Sequence, residues 1–196
     1  YDIPTDNHGG SSQKIITNVI NRISIPEVVD MITYFNERYP LEFHREKPIF
    51  VINLGLHYNI QSAQYLKDDL YHLAKACHDL GAQCIFPETS PQHFDSPAGD
   101  GLYPLGKDEK HCMPNPPSSF ATLSAFRNDI LHDVINNVGS SDHGFLKVMP
   151  LFDRLAGLNS AHQGGDCTHF YSNPEYWEPW HISLTEVLMD SVGQSM

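Results

Sequence analysis

Apolar positions along this chain alternate between helical and strand-like spacing. Ile15, Ile16, Val19 and Ile20 recur at helical intervals after a polar stretch at 1–13. Pro26 then opens a second helical run in which Val28, Val29, Ile32 and Phe35 share one face, until Pro40 closes it. Residues 48–54 (PIFVINL) form an unbroken β-rich apolar run, the pattern of a strand buried on both faces of a parallel sheet. Gly55-Leu56-His57-Tyr58-Asn59 leads into a helix over 62–80, with Gly81 where a C-cap belongs. Residues 83–87 (QCIFP) read as a second strand, 120–137 as a helix, 146–149 as a third strand and 174–192 as a last helix. Between them lie a long Pro-, Gly-, Asp- and His-rich loop at 88–119 and a turn-rich segment at 151–165.

This order predicts an α/β fold, a sheet of mostly parallel strands with helices on both faces. In such folds ligands bind at the carboxyl ends of the strands. Three chemically loaded segments fall there: GLHYN, ETSPQHF and DCTHF. A loop as long as 88–119 in a compact domain is usually functional or disordered.

The length, 196 residues, suits a single domain spanning 1–196. Twelve Lys and Arg stand against 24 Asp and Glu, a formal charge of −12 with no basic stripe, which argues against nucleic acid as a partner. No run of 18 apolar residues is present, so no membrane-spanning segment is expected. The chain begins with Tyr and carries no signal-peptide pattern, and is expected to be a piece of a longer protein. Cys77, Cys84, Cys112 and Cys167 have no C-x-x-C spacing, so neither a zinc knuckle nor a thioredoxin motif is expected. Their even number permits two disulfides in an oxidising compartment, or four buried thiols in a reducing one.

Asp166 precedes His169 by three residues, which in a tight turn or first helical turn puts both side chains on one face. The carboxylate can then accept Nδ1–H and leave Nε2 as a general base for a serine hydroxyl. The same spacing suits Asp166 as a plain helix N-cap. In ETSPQHF, Ser90 before Pro91 favours an extended or turn conformation, and His93 could face a pocket or solvent. Asn53, Gly55 and His57 end a strand, where donors can be built around a developing oxyanion, although a glycine there also serves an ordinary turn.

In this order and spacing the segments resemble the trichome birefringence-like family, also called PC-esterases, of the SGNH/GDSL hydrolase superfamily. The resemblance covers about 48–188 and rests on INLGLHY at 52–58, ETSPQHFDSPAGDGLY at 88–103, HCMPNP at 111–116 and PLFDRLAGLNSAHQGGDCTHFYSNPEYWEPW at 150–180. It implies an SGNH-hydrolase-like three-layer fold and a Ser/Asp/His triad acting on O-acetyl groups of polysaccharides or glycans. The implied setting is the Golgi lumen, the secretory pathway or the extracellular space. Carried onto this chain, Asp166 orients and His169 is the base. Ser90 and His93 lie in the substrate loop, and Asn53, Gly55 or His57 serve the oxyanion. The resemblance also implies a Cys112–Cys167 disulfide, whereas Cys77 and Cys84 are expected to be buried thiols. The partners implied are a glycan or polysaccharide and an acetyl donor or ester.

The family's nucleophile sits in a Gly-Asp-Ser block on the first strand, and no Gly-Asp-Ser occurs here. Asp95-Ser96 lies inside the long loop and is no substitute. The first strand and its serine are therefore expected upstream of this chain, which alone should be inert. The alternative is a catalytically inactive glycan-binding or scaffolding domain of the same fold. His93, His162, Asp166 and His169 include the two imidazoles and a carboxylate that suit a divalent-metal site. No H-x-x-x-H spacing supports one, and neither metal nor cofactor is expected. Tyr171, Tyr176, Trp177 and Trp180 could stack on sugar rings, but the helical spacing of the last three fits core packing better.

Overall fold

The computed structural model describes residues 24–40, 48–104, 111–114, 116–137, 146–163, 165–171 and 173–193. The helical stripe of Ile15 to Ile20 lies outside the described residues. Helix α1 (Ile25–Arg38) starts with proline in its first turn and buries Ile25, Val28 and Ile32. Helix α2 (Ala63–Leu80) buries Leu66, Leu70, Leu73, Ala74 and Cys77, a stripe of helical period, and ends at Gly81 with φ 67°. A left-handed residue at that point is where glycine carries no Cβ penalty.

Strands β1 (Ile49–Val51), β2 (Gln83–Pro87) and β3 (Leu146–Met149) form one parallel sheet in that order. Ile49 stands opposite Gln83, and Cys84 opposite Leu146. The expected α/β architecture is therefore present. Helices α3 (Phe120–Ser124) and α4 (Phe126–Asn137) occupy the predicted 120–137 helix, which breaks at Ala125. Ala125 accepts from the backbone amides of both Asn128 and Asp129, so the helix restarts there. The chain ends in α5 (Phe152–Leu155), β4 (His162–Gln163), β5 (Asp166–Phe170) and α6 (Pro174–Gly193).

β2 is buried on both faces. Cys84 and Phe86 enter a core with residues of α1, α2 and α4, while Ile85 enters a second core with Met149, Leu151, Leu155 and Val187 of the α6 side. Helices thus cover both faces of the central strand. β1 departs from the sequence expectation. Ile52 is buried on the α1/α2 side, but Ile49 and Val51 are 47% and 48% exposed. Among the described residues α6 packs against β3, and Ile49 and Val51 lie outside the core it forms with that strand.

The predicted pair of free thiols, Cys77 and Cys84, is a disulfide with Cα atoms 6.2 Å apart. The left-handed turn at Gly81 brings the last turn of α2 back against β2, within bonding range of a cystine. Cys112 and Cys167 form the second, with Cα atoms 5.1 Å apart. Two disulfides fit an oxidising, secretory or extracellular setting. No helix among the described residues is long and apolar enough to cross a membrane.

Candidate active site

The loops leaving β1 and β2 are packed directly on one another. Gly55 begins a single 3-10 turn, Gly55–His57, and a Cβ placed on it would lie 1.9 Å from Thr89 Oγ1. Only glycine permits that approach. The first turn of α4 fastens both loops. Asn128 accepts from the Thr89 amide at 2.8 Å and donates to the Thr89 carbonyl at 3.2 Å. Arg127 Nε donates to the Tyr58 carbonyl at 2.5 Å, and burial pushes its guanidinium down to about 10. Asn53 and His57 are exposed on this loop and Gly55 is buried.

The β2 loop is then tied to the DCTHF segment. Glu88 Oε2 accepts from the amides of Leu151 and Phe152 at 2.8 and 2.9 Å, anchoring the exit of β3. Gln92 Nε2 donates to Thr168 Oγ1 at 2.9 Å, and the His93 amide to the Cys167 carbonyl at 3.0 Å. Phe94 and Cys112 form an antiparallel bridge, so the Cys112–Cys167 disulfide closes the far side of the same loop. Ser90 is half-buried and bonded to the Tyr176 hydroxyl. The segments at 53–59, 88–94 and 166–169 are therefore one continuous structure at the carboxyl end of the sheet.

Asp166 and His169 are paired, but on a bulged strand and not on a helical turn. β4 and β5 run antiparallel with His162 opposite Phe170 and Gln163 opposite Asp166. One step along β4 thus faces four along β5, and residues 167–169 form the excess. Asp166 Oδ1 accepts from the amides of Thr168 and His169 at 3.0 and 3.2 Å, curling the strand into an Asx-type turn. That curl brings His169 Nδ1 to 2.7 Å from Asp166 Oδ2. The neutral ring carries its proton on Nδ1 and keeps the lone pair on Nε2, for which no partner exists among the described residues. The His169 side chain is 70% exposed and Asp166 37%. Partial burial raises the Asp166 carboxyl slightly. The hydrogen bonds from the His169 ring and the two amides outweigh it and hold the group below its ordinary range.

His93 lies in the 88–94 loop with its side chain turned inward. It is fully buried, stacked on Phe120 with ring centroids 5.1 Å apart, and both ring nitrogens are occupied. Its Nε2 faces the Ala156 carbonyl at 2.8 Å and its Nδ1 faces His162 Nε2 at 2.5 Å. Burial lowers its pKa. His93 therefore presents no free ring nitrogen toward solvent. Among the described residues, no group of three or more His, Cys, Asp or Glu side chains is arranged to hold a metal ion.

Glu88, Gln92, Arg127, Asn128 and His162 carry much of this geometry and were not singled out for it. Glu88 and Gln92 lie inside ETSPQHF, where a polar run directly after a strand was the available signal. Arg127 and Asn128 sit on an amphipathic helix and show no sequence signal at all. No protein-family model matches the chain, and no curated protein is significantly similar to it.

Proposed function

We propose that this chain is the acid–base half of an acyl-transfer centre, the C-terminal part of a carbohydrate O-acetyl esterase or polysaccharide O-acetyltransferase. The observation that carries the reading is the Asp166–His169 pair, bonded at 2.7 Å through Nδ1 with Nε2 presented at an exposed edge of the sheet's carboxyl end. The resemblance of SPQHF and DCTHF to PC-esterase blocks supplies the substrate class and an SGNH-like fold whose first strand and serine lie outside this chain.

In this reading His169 Nε2 takes the proton of a serine hydroxyl as its oxygen bonds to the carbonyl carbon of an acetyl ester. The carbonyl π electrons move to oxygen, giving a tetrahedral oxyanion that backbone or side-chain donors of the Asn53–His57 loop are suited to face. Collapse expels the alcohol, which takes the proton from His169 and leaves acetyl-serine. Water or a sugar hydroxyl, deprotonated by the same nitrogen, then bonds to the acetyl carbon, and the serine oxygen leaves and takes that proton back from His169. Asp166 stays ionised throughout, which its lowered pKa favours.

A second reading, a glycan-binding domain without chemistry, is favoured by the absence of a Gly-Asp-Ser block in the sequence. The full-length protein separates the two. Incubated with an activated acetyl ester and digested, it should yield a peptide acetylated on one serine upstream of Tyr1. If the intact protein is never acetylated and the upstream sequence holds no such serine, the binding reading stands.

A further inference from the structure

Two imidazoles stand behind the Asp166–His169 pair. The His93 and His162 rings meet edge-on at 62°, both buried, with His93 Nδ1 2.5 Å from His162 Nε2. Their outer nitrogens reach backbone carbonyls on opposite sides. His93 Nε2 lies 2.8 Å from the carbonyl of Ala156, just past α5, and His162 Nδ1 lies 3.2 Å from the carbonyl of His169. The peptide of His169 is thus joined through two rings to the body of the domain.

The protons do not suffice for all these contacts. Each carbonyl can only accept, and the ring-to-ring contact needs one proton, so the chain of contacts calls for three. Two neutral imidazoles carry two. In one arrangement His93 donates to Ala156 and His162 Nε2 donates to His93, leaving a bare His162 Nδ1 against the His169 carbonyl. In the other, His162 Nδ1 donates to His169 and His93 Nδ1 donates to His162, leaving a bare His93 Nε2 against Ala156. A third proton satisfies every contact. Of the two, the second gives the His169 carbonyl its donor, and 3.2 Å is within reach of one.

The surroundings keep the pair short of that proton near neutrality. Phe120 covers His93, Phe170 lies 4.1 Å from the His162 ring centroid, and Tyr176 stacks on Phe170. Burial pushes His162 down to about 4 and lowers His93. The titratable groups that bear on His162 are His93, Asp166 and His169, and Tyr176 behind Phe170 stays neutral, its pKa raised by burial.

We propose that the His93–His162 pair positions His169, fastening the peptide of the general base through protons shared along the two rings. His162 is then a positioning residue, and the proposal rests on the reading of His169 as the base. It predicts that the Asp166–His169 contact responds to a donor at the His162 Nδ1 position.

The test is nitrogen-detected NMR of this chain. His162→Asn keeps a donor toward the His169 carbonyl, whereas His162→Gln keeps one toward His93. At neutral pH the wild type and the Asn variant should hold His169 mainly as the Nδ1–H tautomer. In the Gln variant the His169 peptide loses its donor and the Asp166–His169 bond loosens, so the ratio of Nδ1–H to Nε2–H should fall, by about tenfold where that one bond of ordinary net strength is lost. An unchanged ratio in a folded Gln variant overturns the proposal. Wild-type protein gives a second reading should both variants unfold. On acidification the carbonyl carbon shift of His169 should follow the titration of the His162 ring; if it follows only the ring of His169, the pair does not hold that peptide. Neither readout needs turnover. A full-length protein that transfers no acetyl group while showing these shifts would sink the acyl-transfer reading alone.

Discussion

Asp166 uses its two carboxylate oxygens differently. Oδ1 collects the amides of Thr168 and His169 and so shapes the backbone, while Oδ2 takes the His169 ring. An Asp166→Asn replacement keeps an oxygen for the turn but presents an amide N–H to Nδ1. The ring must then carry its proton on Nε2 and cannot act as a base. In the full-length protein this substitution is expected to lower turnover by about ten-thousand-fold with little loss of stability, the outcome known for such a tautomer reversal. Steady-state kinetics beside a thermal melt checks it. A second residue-scale prediction concerns Gly55. Gly55→Ala drives a methyl into Thr89 Oγ1 and should cost about 1–3 kcal/mol, the range for overpacking. Adding Thr89→Ala should recover only part of that loss, because the Thr89 Cβ itself stands 3.3 Å from the new methyl. Denaturant unfolding of the single and double variants would show the recovery.

Elements differ in how legible they were. The parallel sheet and the helices on either side follow from alternating periods, and the central strand QCIFP, buried on both faces, reads as it should. The 162–170 ribbon does not. A two-residue strand facing a bulged one is too short to show a period of two, and the D-x-x-H spacing imitates a helical turn because an Asx-type turn also brings i and i+3 together. The sequence of ETSPQHF leaves open whether it faces a pocket or solvent, and Thr89, Gln92 and His93 are buried. Their polar groups are satisfied by Asn128, Thr168, His162 and Ala156, partners far away in sequence, which no local pattern reveals. The two disulfides act on different elements. Cys112–Cys167 closes 55 residues and ties the long loop to the DCTHF bulge, whereas Cys77–Cys84 closes 7. In the chain-entropy model these contribute about 4 and about 2 kcal/mol respectively. Paired serine substitutions at 112 and 167 should therefore lower the thermal midpoint more than those at 77 and 84. They should also loosen the His93 segment, seen as faster amide exchange at His93 and Met113.

At the scale of the whole molecule, buried histidines set the pH dependence of stability. His93 and His162 have pKa values depressed by burial, from an ordinary 6.5, with His162 near 4. Between those values the unfolded chain binds more protons than the folded one, so stability is fully present above about 6.5 and is lost as pH falls toward 4. Asp166 acts in a lower window. Its depressed carboxyl contributes stability that is lost only as pH falls below the ordinary carboxylate range. Thermal melts between pH 7 and 4 should show the first loss, and His162→Asn should flatten it.

If His169 is the general base of an acyl-transfer enzyme, acetate release by the full-length protein from an O-acetylated polysaccharide must depend on it. The wild type is expected to turn over and His169→Ala to lose about a million-fold, the scale of removing a triad base. Turnover unchanged in a folded His169→Ala protein would contradict that role.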